Sequence, residues 1–122
     1  MSRLIDFGVE KWSEVVEEAN KPVIVEFWHE RCSACLEMKP IYEEIAEDID
    51  DVKFTRVNIL ESKENRKYAI QLGVRSTPTF MIICDGTPIG SLVGIFSKED
   101  LEEQIIKIVD NKESCLMASP LE

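Results

Sequence analysis

The sequence has few residues of the kinds that hold metals or cross-link small folds. Its 122 residues include one histidine, and its four cysteines are too few for a disulfide scaffold. It contains no apolar run long enough to span a membrane, and the segment Met1–Phe7 lacks the apolar stretch of a signal peptide. We therefore expect a cytoplasmic protein with no membrane partner.

Basic residues are also scarce. Lysine and arginine number 14 against 24 aspartates and glutamates, which gives a formal net charge of −10. This charge repels phosphate backbones, so we expect no nucleic-acid partner. Hydrophobic residues make up 44% and charged residues 31%, which is the balance of a globular protein. The length suits one domain, which we place at residues 1–110 with a flexible tail at 111–122, and we expect a monomer.

Hydrophobic periodicity divides the chain into helices and strands. Apolar residues three or four positions apart predict an amphipathic helix from Val9 to Ala19, and the β-branched run Val23 to Trp28 predicts a central strand. A long helix is expected from Cys32 to about Asp48, with Pro40 kinking it. The remaining predicted elements are a strand Val52–Ile59, a helix Ser62–Leu72 ended by Gly73, strands Thr79–Cys84 and Ile89–Val93, and a helix capped by Ser97.

The order of these elements predicts the topology. Helical crossovers impose parallel pairing on the first strands, whereas the turn sequence Asp85-Gly86-Thr87-Pro88 makes the last two strands an antiparallel hairpin. The sequence therefore predicts an α/β fold in which helices flank a central mixed β-sheet.

Two cysteines three positions apart open the predicted long helix. A thiolate at a helix N-terminus is stabilised by unpaired N–H groups and the helix dipole, while a thiol one turn further in is shielded. This assigns Cys32 as a nucleophile and Cys35 as a resolving thiol in disulfide exchange. The alternatives are half of a zinc site or two incidental core cysteines, but a zinc site needs four ligands and the sequence has no second close pair.

Further motifs accompany the pair, namely a β-branched strand ending in Trp28, Pro40 in the helix, Ser76-Thr77-Pro78-Thr79 and Gly94. Together with Cys32-Ser33-Ala34-Cys35, they resemble the thioredoxin family over nearly the whole chain. The resemblance implies a thioredoxin-like three-layer sandwich and a protein-disulfide reductase with no cofactor beyond its Cys32–Cys35 disulfide. The partners it implies are disulfide-containing client proteins and a thioredoxin-reductase-type electron donor.

The resemblance also implies roles for residues around the cysteines. Pro78 would be a cis proline facing them, and the backbone of Thr77 would pair with an extended substrate segment. Trp28, Arg31 and Gly94 complete the expected substrate-binding set.

Glu26 corresponds to the buried acidic residue of the family, which is usually Asp. A buried carboxylate with a raised pKa can accept the proton of the Cys35 thiol, which would make Glu26 the third catalytic residue. The alternative is a charge at the rim of the sheet, paired with Arg56 on the neighbouring strand.

The sequence departs from the family pattern beside the cysteines. Arg31 stands where a second Trp is common, and Ser33-Ala34 replaces the usual Gly-Pro. The charge of Arg31 should favour the Cys32 thiolate, and a protonated His29 would add to this effect, although His29 also fits a solvent-facing loop residue.

Two other functions compete with reduction of client disulfides. The altered dipeptide between the cysteines leaves an oxidase or isomerase open, and a non-catalytic binding module would leave the thiols idle. The reduction potential of the cysteine couple would separate the first two functions. Of the other cysteines, Cys84 is expected to be an inert core residue, and Cys115 an exposed thiol or a partner in a disulfide.

Overall fold

A five-stranded sheet lies at the centre of the structure, a computed structural model that describes residues 3–111. Its strands are β1 Ile5–Asp6, β2 Val23–Trp28, β3 Lys53–Asn58, β4 Thr79–Cys84 and β5 Thr87–Val93. They are arranged in the order β1-β3-β2-β4-β5. The pairs β1–β3 and β2–β3 are parallel, whereas β2–β4 and β4–β5 are antiparallel. The predicted mixed sheet is confirmed.

Three α-helices accompany the sheet, α1 Ser33–Asp48, α2 Lys63–Gln71 and α3 Lys98–Asp110. Each begins where a side chain accepts a backbone N–H: Cys32 caps α1, Ser62 caps α2 and Ser97 caps α3. These starts agree with the predicted ones, and α1 continues through Pro40. No helix in residues 3–111 is long and apolar enough to cross a membrane.

The segment before β2 differs from the amphipathic α-helix expected over Val9–Ala19. A 3₁₀ turn covers Val9–Lys11, and a π-helical turn covers Ser13–Glu17. The apolar residues Trp12, Val15 and Val16 are nevertheless buried. Because β-branched valines have weak helix propensity, burial of these side chains determines the backbone here more than α-helical hydrogen bonding does.

The central strand β2 separates two apolar clusters. On one side, Ile24 packs with Met38 and Tyr42 of α1 and with residues of α3. On the other side, Val25 and Phe27 pack among residues that include Trp12. Because successive side chains of a strand point to opposite faces, Glu26 lies on the same face as Ile24, towards α1.

Two strand features were not predicted. Strand β1 has two residues, too few to show a period, and its Asp6 lies beside Arg56 of β3. The hairpin turn is shorter than expected, because β5 begins at Thr87 and leaves Asp85 and Gly86 as a two-residue turn. The predicted tail from residue 112 onwards, with Cys115, lies outside the described residues.

Candidate active site

The two predicted reactive cysteines form a disulfide at the start of α1. Cys32 is the N-cap residue, and its Sγ accepts the backbone N–H of Cys35 at 3.1 Å. Cys35 lies in the first turn with 1% of its surface exposed, whereas Cys32 is partly exposed. A client molecule can therefore reach Cys32 more readily than Cys35.

The segment directly before β4 contacts Cys32. The Thr77–Pro78 peptide bond is cis, as the resemblance implies. The carbonyl oxygen of Thr77 lies 3.4 Å from Sγ of Cys32. The N–H of Gly94 donates to the carbonyl oxygen of Pro78 at 3.1 Å, and Gly94 has a φ of 104°, which L side chains rarely adopt. The fold thus brings three of the predicted site segments together.

Glu26 is fully buried, so the alternative interpretation that places it at the rim of the sheet is wrong. Burial, which penalises the ionised carboxylate, raises the pKa of Glu26 from 4.5 to about 7. Arg56 opposes this rise, with its Nε 3.6 Å from Oε1 of Glu26. The expected pairing with Arg56 is therefore present together with burial.

Arg56 joins Glu26 to two further side chains. It is 4% exposed, and its Nε also lies 3.7 Å from Oδ1 of Asp6. Its guanidinium lies 4.1 Å from the centre of the Trp28 ring, in the geometry of a cation–π contact. Neither carboxylate oxygen of Glu26 has a hydrogen-bond partner among the described residues. Sequence reasoning missed Asp6, because strand β1 gives no recognisable pattern.

The loop between β2 and the disulfide is held by hydrogen bonds between its own residues. The N–H of Cys32 donates to the carbonyl oxygen of His29, and the N–H of Arg31 donates to Nδ1 of His29 at 3.2 Å. The side chain of His29 therefore takes part in the hydrogen bonds that hold this loop. Arg31 is exposed, and its influence on the Cys32 thiolate remains a prediction.

The structure corrects the expectation for Cys84. This residue is buried at the end of β4, as expected, but it is disulfide-bonded and is not an inert free thiol. Within residues 3–111, no group of three or more His, Cys, Asp or Glu side chains is placed to hold a metal ion.

Comparison with known proteins agrees with this geometry. A family model described as Thioredoxin matches residues 4–107. Thioredoxin from Alicyclobacillus acidocaldarius is 36% identical over 93 residues, which are 75% of this chain and 86% of that protein. Thioredoxin 1 from Synechococcus elongatus is 37% identical over 97 residues, which are 79% of this chain and 88% of that protein. The crystal structure of thioredoxin f from spinach chloroplast, long form, is similar with a TM-score of 0.77 and 28% identity, over 86% of this chain and 85% of that one.

Proposed function

The chain belongs to the thioredoxin family, and we propose that Cys32 is the nucleophile and Cys35 the resolving thiol of its reaction. It is a thiol–disulfide oxidoreductase that reduces protein disulfides, and its redox group is the Cys32–Cys35 disulfide. The observation that carries the assignment is the exposure difference between a partly exposed Cys32 and a buried Cys35.

The proposed reaction begins with the reduced pair. The Cys32 thiolate attacks one sulphur of a client disulfide, the client S–S bond breaks, and one client thiolate leaves. Cys35 then attacks the Cys32 sulphur of the mixed disulfide and releases the second client thiolate. Two electrons have passed to the client, and the oxidised pair is reduced again by a thioredoxin-reductase-type enzyme.

The first turn of α1 supports attack by Cys32. Its sulphur accepts the N–H of Cys35 and sits at the positive end of the helix dipole, and both interactions stabilise a thiolate more than a thiol. The positive charge of Arg31, next in sequence, adds to this stabilisation.

We assign Glu26 as the acceptor of the Cys35 proton. The carboxyl group lies on the sheet face that α1 covers, and its pKa of about 7 lets it take and release a proton near neutral pH. Arg56 partly offsets the cost of ionising it in this buried position.

The segments around the disulfide are proposed to bind the client chain. The backbone of Thr77 pairs with an extended client segment, while Trp28, Arg31, Pro78 and Gly94 form the surface around it. The contact between Thr77 and Cys32 supports this placement, because a segment bound at Thr77 lies beside the attacking sulphur.

The proposed compartment is the cytoplasm. Relatives include bacterial thioredoxins and the chloroplastic thioredoxin M4 of Arabidopsis thaliana. A pair of thiols that must stay reduced between client encounters needs a reducing compartment, which supports the proposal.

Two cysteine variants test the assignment. We expect Cys32→Ser to abolish reduction of a disulfide peptide, because the attacking sulphur is gone. Cys35→Ser should attack once and remain bonded to the peptide, since no thiol resolves the mixed disulfide. Mass spectrometry under non-reducing conditions measures the trapped adduct, and a steady-state assay measures turnover.

Ser33→Ala serves as the matched control, because it changes the same exposed turn and keeps both cysteines. It should turn over within a small factor of the wild type. An adduct on Cys35 in Cys32→Ser, with none on Cys32 in Cys35→Ser, would reverse the two assignments. Normal turnover by Cys35→Ser would show that Cys35 does not resolve the mixed disulfide.

A further inference from the structure

A cavity of about 300 Å³ lies close to the disulfide, between the second half of α2 and the loop that leads to β4. It shares Thr77 with the active site, and the carbonyl oxygen of Thr77 is 3.4 Å from Sγ of Cys32. We call it the arginine groove. Its lining includes Ile59, Arg66, Ile70, Val74, Arg75 and Thr77.

The charge of the arginine groove is opposite to that of the whole chain. Arg66 and Arg75 line it, and none of its lining residues is acidic, in a chain with 24 acidic and 14 basic residues. His29 also lines it, with Nδ1 accepting a hydrogen bond. Two guanidinium groups with no carboxylate facing them therefore line a cavity that adjoins the active site at Thr77.

These two arginines differ from other basic side chains of the fold. Arg3 pairs with Asp50, and Lys98 lies 2.9 Å from Asp48. Arg66 and Arg75 are exposed and have no ion-pair partner among residues 3–111. Their charges are thus available to an acidic group from another molecule.

The floor of the arginine groove is apolar. Ile70 stands four positions after Arg66 on α2, so the two side chains share one face of the helix, and Ile70 is 59% exposed. Ile59 and Val74 also line the cavity. A surface that combines an exposed isoleucine with unpaired arginines suits an extended peptide with both apolar and acidic side chains.

We infer that the arginine groove binds acidic segments flanking the target disulfide of client proteins, so that this chain selects acidic clients. This inference rests on the proposed function, because the groove matters to catalysis only when Cys32 attacks a client. The overall charge of −10 repels such a client at a distance. At physiological salt, charges more than roughly 8 Å from a docked segment are largely screened, so the nearby arginines determine the preference.

The test uses two disulfide peptides of identical sequence except that residues flanking the disulfide are aspartate in one and lysine in the other. We expect the wild type to reduce the aspartate peptide with the higher kcat/KM at low ionic strength. The double variant R66E/R75E should lose about tenfold in kcat/KM toward that peptide, and added salt should shrink the difference.

The matched control is the double variant K63E/K67E, which replaces two exposed lysines. It changes the net charge equally, on the helix that carries Arg66, without altering the groove lining. Its kcat/KM toward the aspartate peptide should change less than about threefold. The charge-neutral variants Arg66→Gln and Arg75→Gln should each give an intermediate loss, which keeps the test valid if the double reversal does not fold.

Two further measurements separate failure of the inference from failure of the proposed function. Binding of a labelled aspartate peptide with serine in place of its cysteines needs no redox chemistry, and we expect R66E/R75E to weaken it. Reduction of hydroxyethyl disulfide, a small neutral substrate, tests the chemistry without the groove, and we expect the same rate in wild type and R66E/R75E.

Absence of hydroxyethyl disulfide reduction in the wild type would overturn the proposed function, while the binding measurement would still decide the groove. Equal binding of the serine-substituted aspartate and lysine peptides would overturn the inference. An equal loss in the lysine control would also overturn it, because the preference would then follow net charge and not the arginine groove.

Discussion

The carboxyl group of Glu26 experiences two opposing influences. Burial raises its pKa, and the guanidinium of Arg56, 3.6 Å away, lowers it. Burial is the larger of the two, and the pKa rises from 4.5 to about 7. Between pH 4.5 and pH 7, Glu26 loses its proton in the unfolded chain and keeps it in the folded chain. The free energy of unfolding therefore falls as pH rises through this window, and the loss is absent below pH 4.5.

Glu26→Gln removes this titration. We expect the wild type to lose roughly 3 kcal/mol of stability relative to the variant between pH 4.5 and 7, as a shift of this size implies. Urea unfolding of both proteins across this range measures the difference. The comparison uses the change with pH, because replacing the carboxyl group by an amide can also alter stability by an amount that does not depend on pH.

Glu37→Gln is the control, since Glu37 is exposed on α1. Its stability should follow the wild-type pH dependence. If the Glu26→Gln curve runs parallel to that of the wild type, the pKa of Glu26 in the folded chain is not raised.

Glu26→Gln should also slow the step in which Cys35 resolves the mixed disulfide above about pH 7, while attack by Cys32 changes little.

At the scale of residues, sequence reasoning found the side chains that a local motif marks. Cys32, Cys35 and Pro78 stand in short patterns with a fixed meaning, and their positions in the structure agree with them. Asp6 and Arg75 stand in no such pattern, because tertiary pairing and loop geometry bring them to the site. A single sequence contains no signal for these contacts.

At the scale of elements, the hairpin between β4 and β5 depends on one tight turn. Asp85 and Gly86 both have positive φ, 56° and 79°, which is the conformation of a two-residue hairpin turn. We expect Gly86→Ala to cost about 1–2 kcal/mol, since an L side chain disfavours this φ even where space is available. The nearest atom to an added Cβ is 3.8 Å away, so steric crowding adds little.

Chemical denaturation measures the cost, with Thr87→Ala as the control at the adjacent exposed position. The control replaces a residue in ordinary extended conformation and should cost less than Gly86→Ala. Equal losses in the two variants would mean that the turn conformation does not determine hairpin stability.

Regular elements were predictable because their side chains follow a period. The bounds of β2 and β4 agree with the predicted strands to the residue, since each is an apolar run with clear ends. The Val9–Glu17 region was less predictable, because its buried residues fit a helical period while its hydrogen bonds follow 3₁₀ and π patterns. Periodicity identifies the buried face and does not determine the hydrogen bonding beneath it.

At the scale of the whole molecule, association depends on charge and on the sheet edges. Strand β5 is at one edge, where Pro88 offers no N–H, and the pairing is irregular between Ile82 and Ile83. Both features oppose pairing with another sheet. A net charge of −10 adds repulsion between copies.

We therefore expect a monomer of 14.0 kDa. Light scattering over a wide range of protein concentrations should give this mass at low and at high salt. A mass that doubles with concentration when salt screens the charge would show that the edge strand or the exposed residues Val93 and Ile95 form a dimer contact.

The capping atom of α1 is also the atom that is oxidised and reduced, and this links two equilibria. A thiolate accepts the N–H of Cys35 more strongly than a disulfide sulphur does, so the cap is stronger in the reduced chain. Folding and oxidation form a thermodynamic cycle. The free energy by which this hydrogen bond favours the reduced chain therefore changes the folding equilibrium and the oxidation equilibrium by the same amount. The hydrogen bond that strengthens α1 in the reduced chain therefore makes the dithiol a weaker electron donor. Substitutions that weaken this first turn make the folded protein a stronger reductant, and helix stability and reducing power are two measures of one coupling.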